Sequence, residues 1–293
     1  MTADGGERLR VASAVSADGT LIGYSSLGEG PGLIIVGGVL SSGIDYLPLA
    51  RLLAQDFEVH VMDRRGRAGS GPQRQSHSID DECADLITVA ASTGATAVFG
   101  HSFGGLVALE TARHQPVFDQ LFLYEPGVPL RGQFAFNWLD GYQQRLEAGD
   151  RRAAFAWMVK HNGFAPRLLA VMPLPLVRAV LRLAIRPRQW TSMDRLLEAN
   201  LVEHRIEMAL DMPDAERFST ITARTLLLGG TKSPTVIGQQ LVTELVGVIP
   251  DAAVSILPGL DHLAPQQQPS QIATAILAHH SDRRSNGLLP PIS

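Results

Sequence analysis

The chain has 293 residues, 45% of them apolar and 18% charged, with a net charge of −4 and one cysteine, Cys83. That balance supports a sizeable globular core, offers no electrostatic footprint for nucleic acid or an anionic membrane, and excludes an intramolecular disulfide framework. Met1–Arg10 is polar and acidic, and the most apolar stretch, Leu168–Ile185, is broken by two prolines and two arginines, so a cytoplasmic protein without a membrane span is expected.

Short β-rich runs alternate with helical ones, which predicts parallel βαβ units. Arg8–Val15 and Thr20–Ser25 flank Asp18-Gly19 and read as an antiparallel hairpin. Leu33–Val36, Glu58–Asp63, Thr96–Gly100 and Gln120–Tyr124 follow as apolar runs suited to buried parallel strands. Helices are predicted over Leu47–Gln55, Ile79–Ser92 and Gly104–His114. From 129 to 219 the alternation stops and only helical segments with proline breaks remain. It resumes with strand Thr225–Leu228, helix Thr235–Val246, strand Val254–Leu257 and helix Ser270–His279. The expected organisation is an α/β core over 1–128 and 220–280, a helical lid over 129–219, and a disordered tail over 281–293 rich in proline, glycine and charge. A lid at that point covers the carboxyl ends of the strands, where open α/β sheets bind ligands.

Gly100-His101-Ser102-Phe103-Gly104 fits G-x-S-x-G. The pattern alone is weak, but here an apolar strand enters it and a small-residue helix leaves it, as a nucleophile elbow requires. Serine needs a base to act as a nucleophile at neutral pH. Of nine histidines, His262 lies just after the last strand, in the loop that falls beside the elbow. His101 adjoins Ser102 but should point away from its hydroxyl. Val36-Gly37-Gly38-Val39-Leu40 ends the first strand after the hairpin, where a tight turn can aim the Val39 N–H, together with that of Phe103, at a developing oxyanion. An ordinary glycine-rich turn is the alternative meaning of each glycine cluster. Gly230-Thr231-Lys232-Ser233 lacks the first glycine of a phosphate-binding loop, and no cluster has metal-ligand spacing. The chemistry calls for no cofactor.

These features resemble the α/β-hydrolase superfamily from about Val11 to Ala278, implying an eight-stranded, mostly parallel sheet with the lid after strand six. Asp63-Arg64-Arg65-Gly66-Arg67-Ala68-Gly69-Ser70 resembles a loop common after the fourth strand, and Tyr124-Glu125-Pro126 a strand-six ending of a bacterial subgroup. One position departs. The family's acid usually follows strand seven, where Leu228-Gly229-Gly230-Thr231-Lys232-Ser233 supplies serine. Serine cannot stabilise an imidazolium as a carboxylate does. Glu125, ending strand six, is the expected substitute, as in haloalkane dehalogenases and some lipases; a carboxylate that merely holds the lid or the Arg64 loop is the alternative.

The lid contains most of the chain's aromatics. Trp138, Trp157 and Met158 are expected to line a site for an apolar or aromatic acyl group, unless they form the lid's own core. Arg178, Arg182 and Arg186 recur at helical spacing, which reads as a solvated face or as a dock for an acidic acyl-carrier (thiolation) protein. The chain is also similar to hydrolase-fold acyltransferases of nosiheptide-type thiopeptide biosynthesis, which implies passage of an indolyl-type acyl group from a carrier thioester to a peptide acceptor. Three functions follow: acyl transfer through acyl-Ser102, simple ester or thioester hydrolysis, and a non-catalytic ligand receptor. The third rests on Ser233 alone.

Overall fold

The computed structural model describes residues 8–286 apart from 68, 131, 165, 235 and 236. Eight strands form one sheet: β1 (Arg10–Val15), β2 (Leu21–Leu27), β3 (Gly32–Val36), β4 (Glu58–Met62), β5 (Ala97–His101), β6 (Gln120–Tyr124), β7 (Arg224–Gly230) and β8 (Ala252–Leu257). Their order is β1-β2-β4-β3-β5-β6-β7-β8. The first hairpin is antiparallel, β2 pairs antiparallel with β4, and all later pairs are parallel. This is the eight-stranded, mostly parallel sheet that the resemblance implied.

Side-chain alternation along the strands divides the core into two layers. Ile34, Val36, Val98, Leu121, Leu123 and Leu227 face one side, with α2 (Ile79–Thr93) and α3 (Phe103–His114). Leu33, Ile35, Phe99, Phe122, Tyr124 and Leu228 face the other, with α1 (Leu47–Leu53) and the C-terminal helix. α3 is buried from Phe103 to Ala112, which explains its small, apolar sequence. α2 begins at a reciprocal Ser78–Asp81 cap and stops at Gly94, whose φ of 71° suits a residue without Cβ. Cys83 lies buried on α2, where loss of solvent pushes its thiol up to about 12, so it is a protonated packing group.

Between β6 and β7 the described residues include six α-helices: α4 (Leu139–Glu147), α5 (Arg151–His161), α6 (Arg167–Val171), α7 (Leu174–Ala184), α8 (Pro187–Asp194) and α9 (Leu197–Leu210). After β7 come α10 (Gln239–Val246), α11 (Ala264–Gln267) and α12 (Ser270–Asn286). The helix expected from Thr235 thus starts at Gln239, Thr235 and Val236 lying outside the described residues. α12 runs into the segment assigned to the tail, and residues 287–293 lie outside the described residues. The insertion has its own core of Trp138, Leu139, Tyr142, Phe155, Met158, Leu197 and Leu201. Its two stems meet in a bridge between Leu130 and Met212. No helix among the described residues is long and apolar enough to cross a membrane.

The insertion is bolted down through charge. Arg64, buried beyond β4, donates Nη1 to Glu82 of α2 at 2.9 Å and to Glu203 of α9 at 3.0 Å. Its Nε and Nη2 donate to the carbonyls of Gly37 and Gly38, each at 3.0 Å. Arg67 donates to the same Glu203 oxygen at 2.5 Å. Burial alone drives carboxyls toward the neutral form, yet Arg64 and its neighbours hold Glu82 down at about 2. A buried pair adds little over an apolar replacement, but removing one partner strands the other charge. Arg64→Met is therefore expected to cost about 3–5 kcal/mol, measurable as a lower midpoint in urea unfolding.

Candidate active site

Three strands deliver the central groups to one sheet edge. Among the described residues, the non-glycine positions with positive φ are Leu40 (52°), Ser102 (52°) and Glu125 (44°), each following the carboxyl end of a strand (β3, β5 and β6). Such backbone costs on the order of 1–3 kcal/mol per residue and persists where the surroundings enforce it. At Ser102 the enforcement is visible. Its carbonyl accepts from the amides of Gly105 (2.8 Å), Leu106 (3.2 Å) and Gly127 (2.7 Å). Glycines around it leave the turn its room. A Cβ on Gly104 would stand 2.3 Å from the Val36 carbonyl oxygen, and one on Gly38 would stand 3.0 Å from the Ser102 Cβ. Ser102 therefore caps α3 from a strained turn, and the Phe103 amide opens the helix without an intrahelical partner.

Glu125 is fully buried, and both of its oxygens are engaged. Oε1 accepts from the Gly230 amide at 2.7 Å and Oε2 from His262 Nδ1 at 2.8 Å. The carboxylate thus fixes the tautomer, leaving the lone pair of His262 on Nε2. Ser233 takes no part in this contact; its Oγ is buried without a hydrogen-bond partner. The receptor reading loses its basis here, because the imidazole has a carboxylate after all.

His101 turns away from the Ser102 hydroxyl and holds the loop of His262. Its Nε2–H donates to the His262 carbonyl at 2.8 Å, and its Nδ1 accepts from the Tyr46 hydroxyl at 2.6 Å. Burial, with the His262 charge second, keeps His101 well below the usual imidazole range, so the ring stays neutral. The same Tyr46 oxygen accepts from the Gly38 amide at 2.9 Å and from Gln266 Nε2 at 3.2 Å. One phenol therefore joins the turn carrying Val39 to the loop carrying His262. Sequence reading missed this link: Tyr46, His101 and Gln266 meet only in three dimensions.

The three lid residues expected to bind substrate require correction. Trp138 is buried edge-on to Tyr142 and His204, with centroids 5.4 and 5.0 Å away. Trp157 donates its Nε1–H to the Trp138 carbonyl at 3.0 Å and lies under Arg145. Met158 Sδ accepts from Asn200 at 3.3 Å. All three are occupied inside the lid, as aromatic side chains with a polar handle commonly are. The arginine stripe is also shorter than its spacing suggested. Arg178 and Arg182 lie on α7, with Arg178 paired to Asp150 at 2.7 Å, while Arg186 caps the next helix. The described residues bring together no group of three His, Cys, Asp or Glu able to hold a metal ion.

A serine on a strained strand-to-helix turn, beside a histidine held by a buried carboxylate, belongs to a serine hydrolase-fold enzyme. The chain is a member of the alpha/beta hydrolase family, which it matches over residues 33–275. It is 34% identical over 128 residues to N-formylmaleamate deformylase of Pseudomonas putida, an alignment covering 42% of this chain and 47% of that protein. The chain spans about half the length of the curated relatives it matches. In structure it is similar to an alpha/beta hydrolase of Sphaerobacter thermophilus, with a TM-score of 0.75, 27% identity, and coverage of 91% of this chain and 99% of that one. The esterase RhEst1 of Rhodococcus sp. ECU1013 shares the fold at a TM-score of 0.67 and 18% identity, covering 92% and 98% of the two chains.

Replacing Tyr46 by Phe deprives His101 Nδ1 and the Gly38 amide of their partner together. A loss of about 1–3 kcal/mol is expected, checked by chemical denaturation of the variant against the parent.

Proposed function

We propose that the protein hydrolyses a small ester, thioester or amide through an acyl-Ser102 intermediate. His262 Nε2 takes the Ser102 proton as Oγ attacks the substrate carbonyl carbon. Val39 and Phe103 donate their amide hydrogens to the oxyanion, and Glu125 stabilises the imidazolium. The imidazolium then protonates the leaving group as the tetrahedral centre collapses. Water, deprotonated by the same imidazole, releases the acid and restores Ser102. The observation that carries this reading is the 2.8 Å contact between His262 Nδ1 and Glu125 Oε2 beside the elbow. The hydrolytic chemistry of the relatives supports water as acceptor.

On this reading Ser102→Ala loses about 10⁶-fold in turnover of a chromogenic ester, and Glu125→Gln about 10³–10⁴-fold, with circular dichroism unchanged. A near-normal rate in Glu125→Gln would sink the assignment of the acid. Labelling by a fluorophosphonate is expected for the parent and lost in Ser102→Ala.

A second reading keeps the intermediate and changes the acceptor: an aromatic, indolyl-type acyl group passes from an acidic carrier-protein thioester to a peptide. Its support is the outer surface of the lid, where Arg182, Arg186 and Arg188 are exposed near uncovered Leu176, Val180 and Leu183. Intact-mass spectrometry of the acyl-enzyme, with and without amine, alcohol or thiol acceptors, separates the two. Discharge into water as fast as into any acceptor favours hydrolysis; acceptor-dependent discharge favours transfer.

A further inference from the structure

α9 carries two buried acids one turn apart, and they stand in opposite circumstances. Glu203 is matched by Arg64 and Arg67. Glu207 makes no salt bridge to a lysine or arginine: its one contact of that kind is to His204, whose Nε2 lies 3.8 Å from Oε2, too far for a hydrogen bond. His204 donates Nδ1–H to the Asn200 carbonyl at 2.8 Å, and burial keeps its ring neutral. Glu207 Oε2 is buried without any hydrogen-bond partner. Burial, reinforced by the Glu203 charge and opposed by that of Arg64, raises the Glu207 carboxyl well above the usual range. Its place is specific. A Cβ on Gly127 would stand 3.0 Å from Glu207 Oε1 and 3.1 Å from the Phe103 amide nitrogen, so the carboxyl and the oxyanion-side amide border one Cβ-sized space.

An unpaired carboxyl destabilises the fold that buries it, and such groups concentrate where a ligand completes them. Whichever oxygen carries a proton, Oε1 keeps a lone pair with which to accept a hydrogen bond next to Phe103.

We propose that Glu207 is a substrate-recognition residue, accepting through Oε1 a hydrogen bond from an N–H borne by the carbon next to the scissile carbonyl. The preferred acyl donors are accordingly α-amido or α-heteroaryl-N–H acyl groups rather than plain alkanoyl ones. The inference rests on the acyl-Ser102 reading and deepens it by naming the acyl class.

The test uses the full chain and two near-isosteric esters, 4-nitrophenyl N-acetylglycinate and 4-nitrophenyl 4-oxopentanoate, in which CH₂ replaces N–H. The parent is expected to favour the first by at least about tenfold in kcat/KM, on the scale of one buried hydrogen bond. In Glu207→Leu that ratio falls to near one while the melting temperature stays level or rises, because a buried polar orphan has been removed. Glu207→Gln, which keeps a carbonyl oxygen, retains the preference. No preference in the parent, or a preference that survives in Glu207→Leu, overturns the proposal, as does its loss in Glu207→Gln. Fluorophosphonate labelling is followed in the same samples. Labelled Ser102 without an N–H preference refutes the role of Glu207 alone, whereas absence of labelling refutes the acyl-Ser102 reading on which it rests.

Discussion

The Glu125 carboxylate is the junction on which the site depends. It has no exposure to solvent, and its two oxygens serve two structural units, the Gly230 amide at the end of β7 and the His262 ring in the loop beyond β8. Hydrogen bonds to an ionised group are about twice as strong as neutral ones. They compensate here for both the desolvated charge and the left-handed backbone that presents it. The peptide running on from Glu125 then places Gly127 against the Ser102 carbonyl. Glu125, the loop of His262 and Ser102 are thereby registered through one short segment.

A second frame encloses the first. Arg64 grips both glycine carbonyls of the turn before Val39 and the acid Glu203 of the lid, while Tyr46 grips the amide of the same turn and, through His101, the loop of His262. The turn is thus held from the lid side by charge and from the base side by neutral hydrogen bonds. Preorganised amides of this kind need no rearrangement when charge develops on a bound acyl group.

The central parallel strands were legible because buried parallel strands read as continuous apolar runs, and the first hairpin because Asp18-Gly19 marks its turn. Ser102 and His262 were legible because a local motif and a chain order mark them. Glu125 came from the family resemblance: Ser233 stands at the usual acid position, and Glu125 ends the strand after which some members place theirs. The lid resisted. Aromatic content does not tell whether Trp138 or Trp157 faces a pocket or a private core, and arginine spacing does not reveal that the helix ends before Arg186. Arg64 falls in a motif that says nothing of its partners, and Tyr46 and Glu207 carry no local signal at all. Their importance comes from partners tens of residues away along the chain, such as Glu203 for Arg64.

The silent serine has an implication for descent. The position a Cβ would take on Gly238 lies 3.3 Å from Ser233 Cβ and 3.7 Å from Glu125 Oε1. The family's usual acid position and the proposed one are therefore neighbours in space, though they follow different strands. On the proposed role of Glu125, moving the acid to position 233 asks for a change of side chain beside the same glycine, not for a new scaffold.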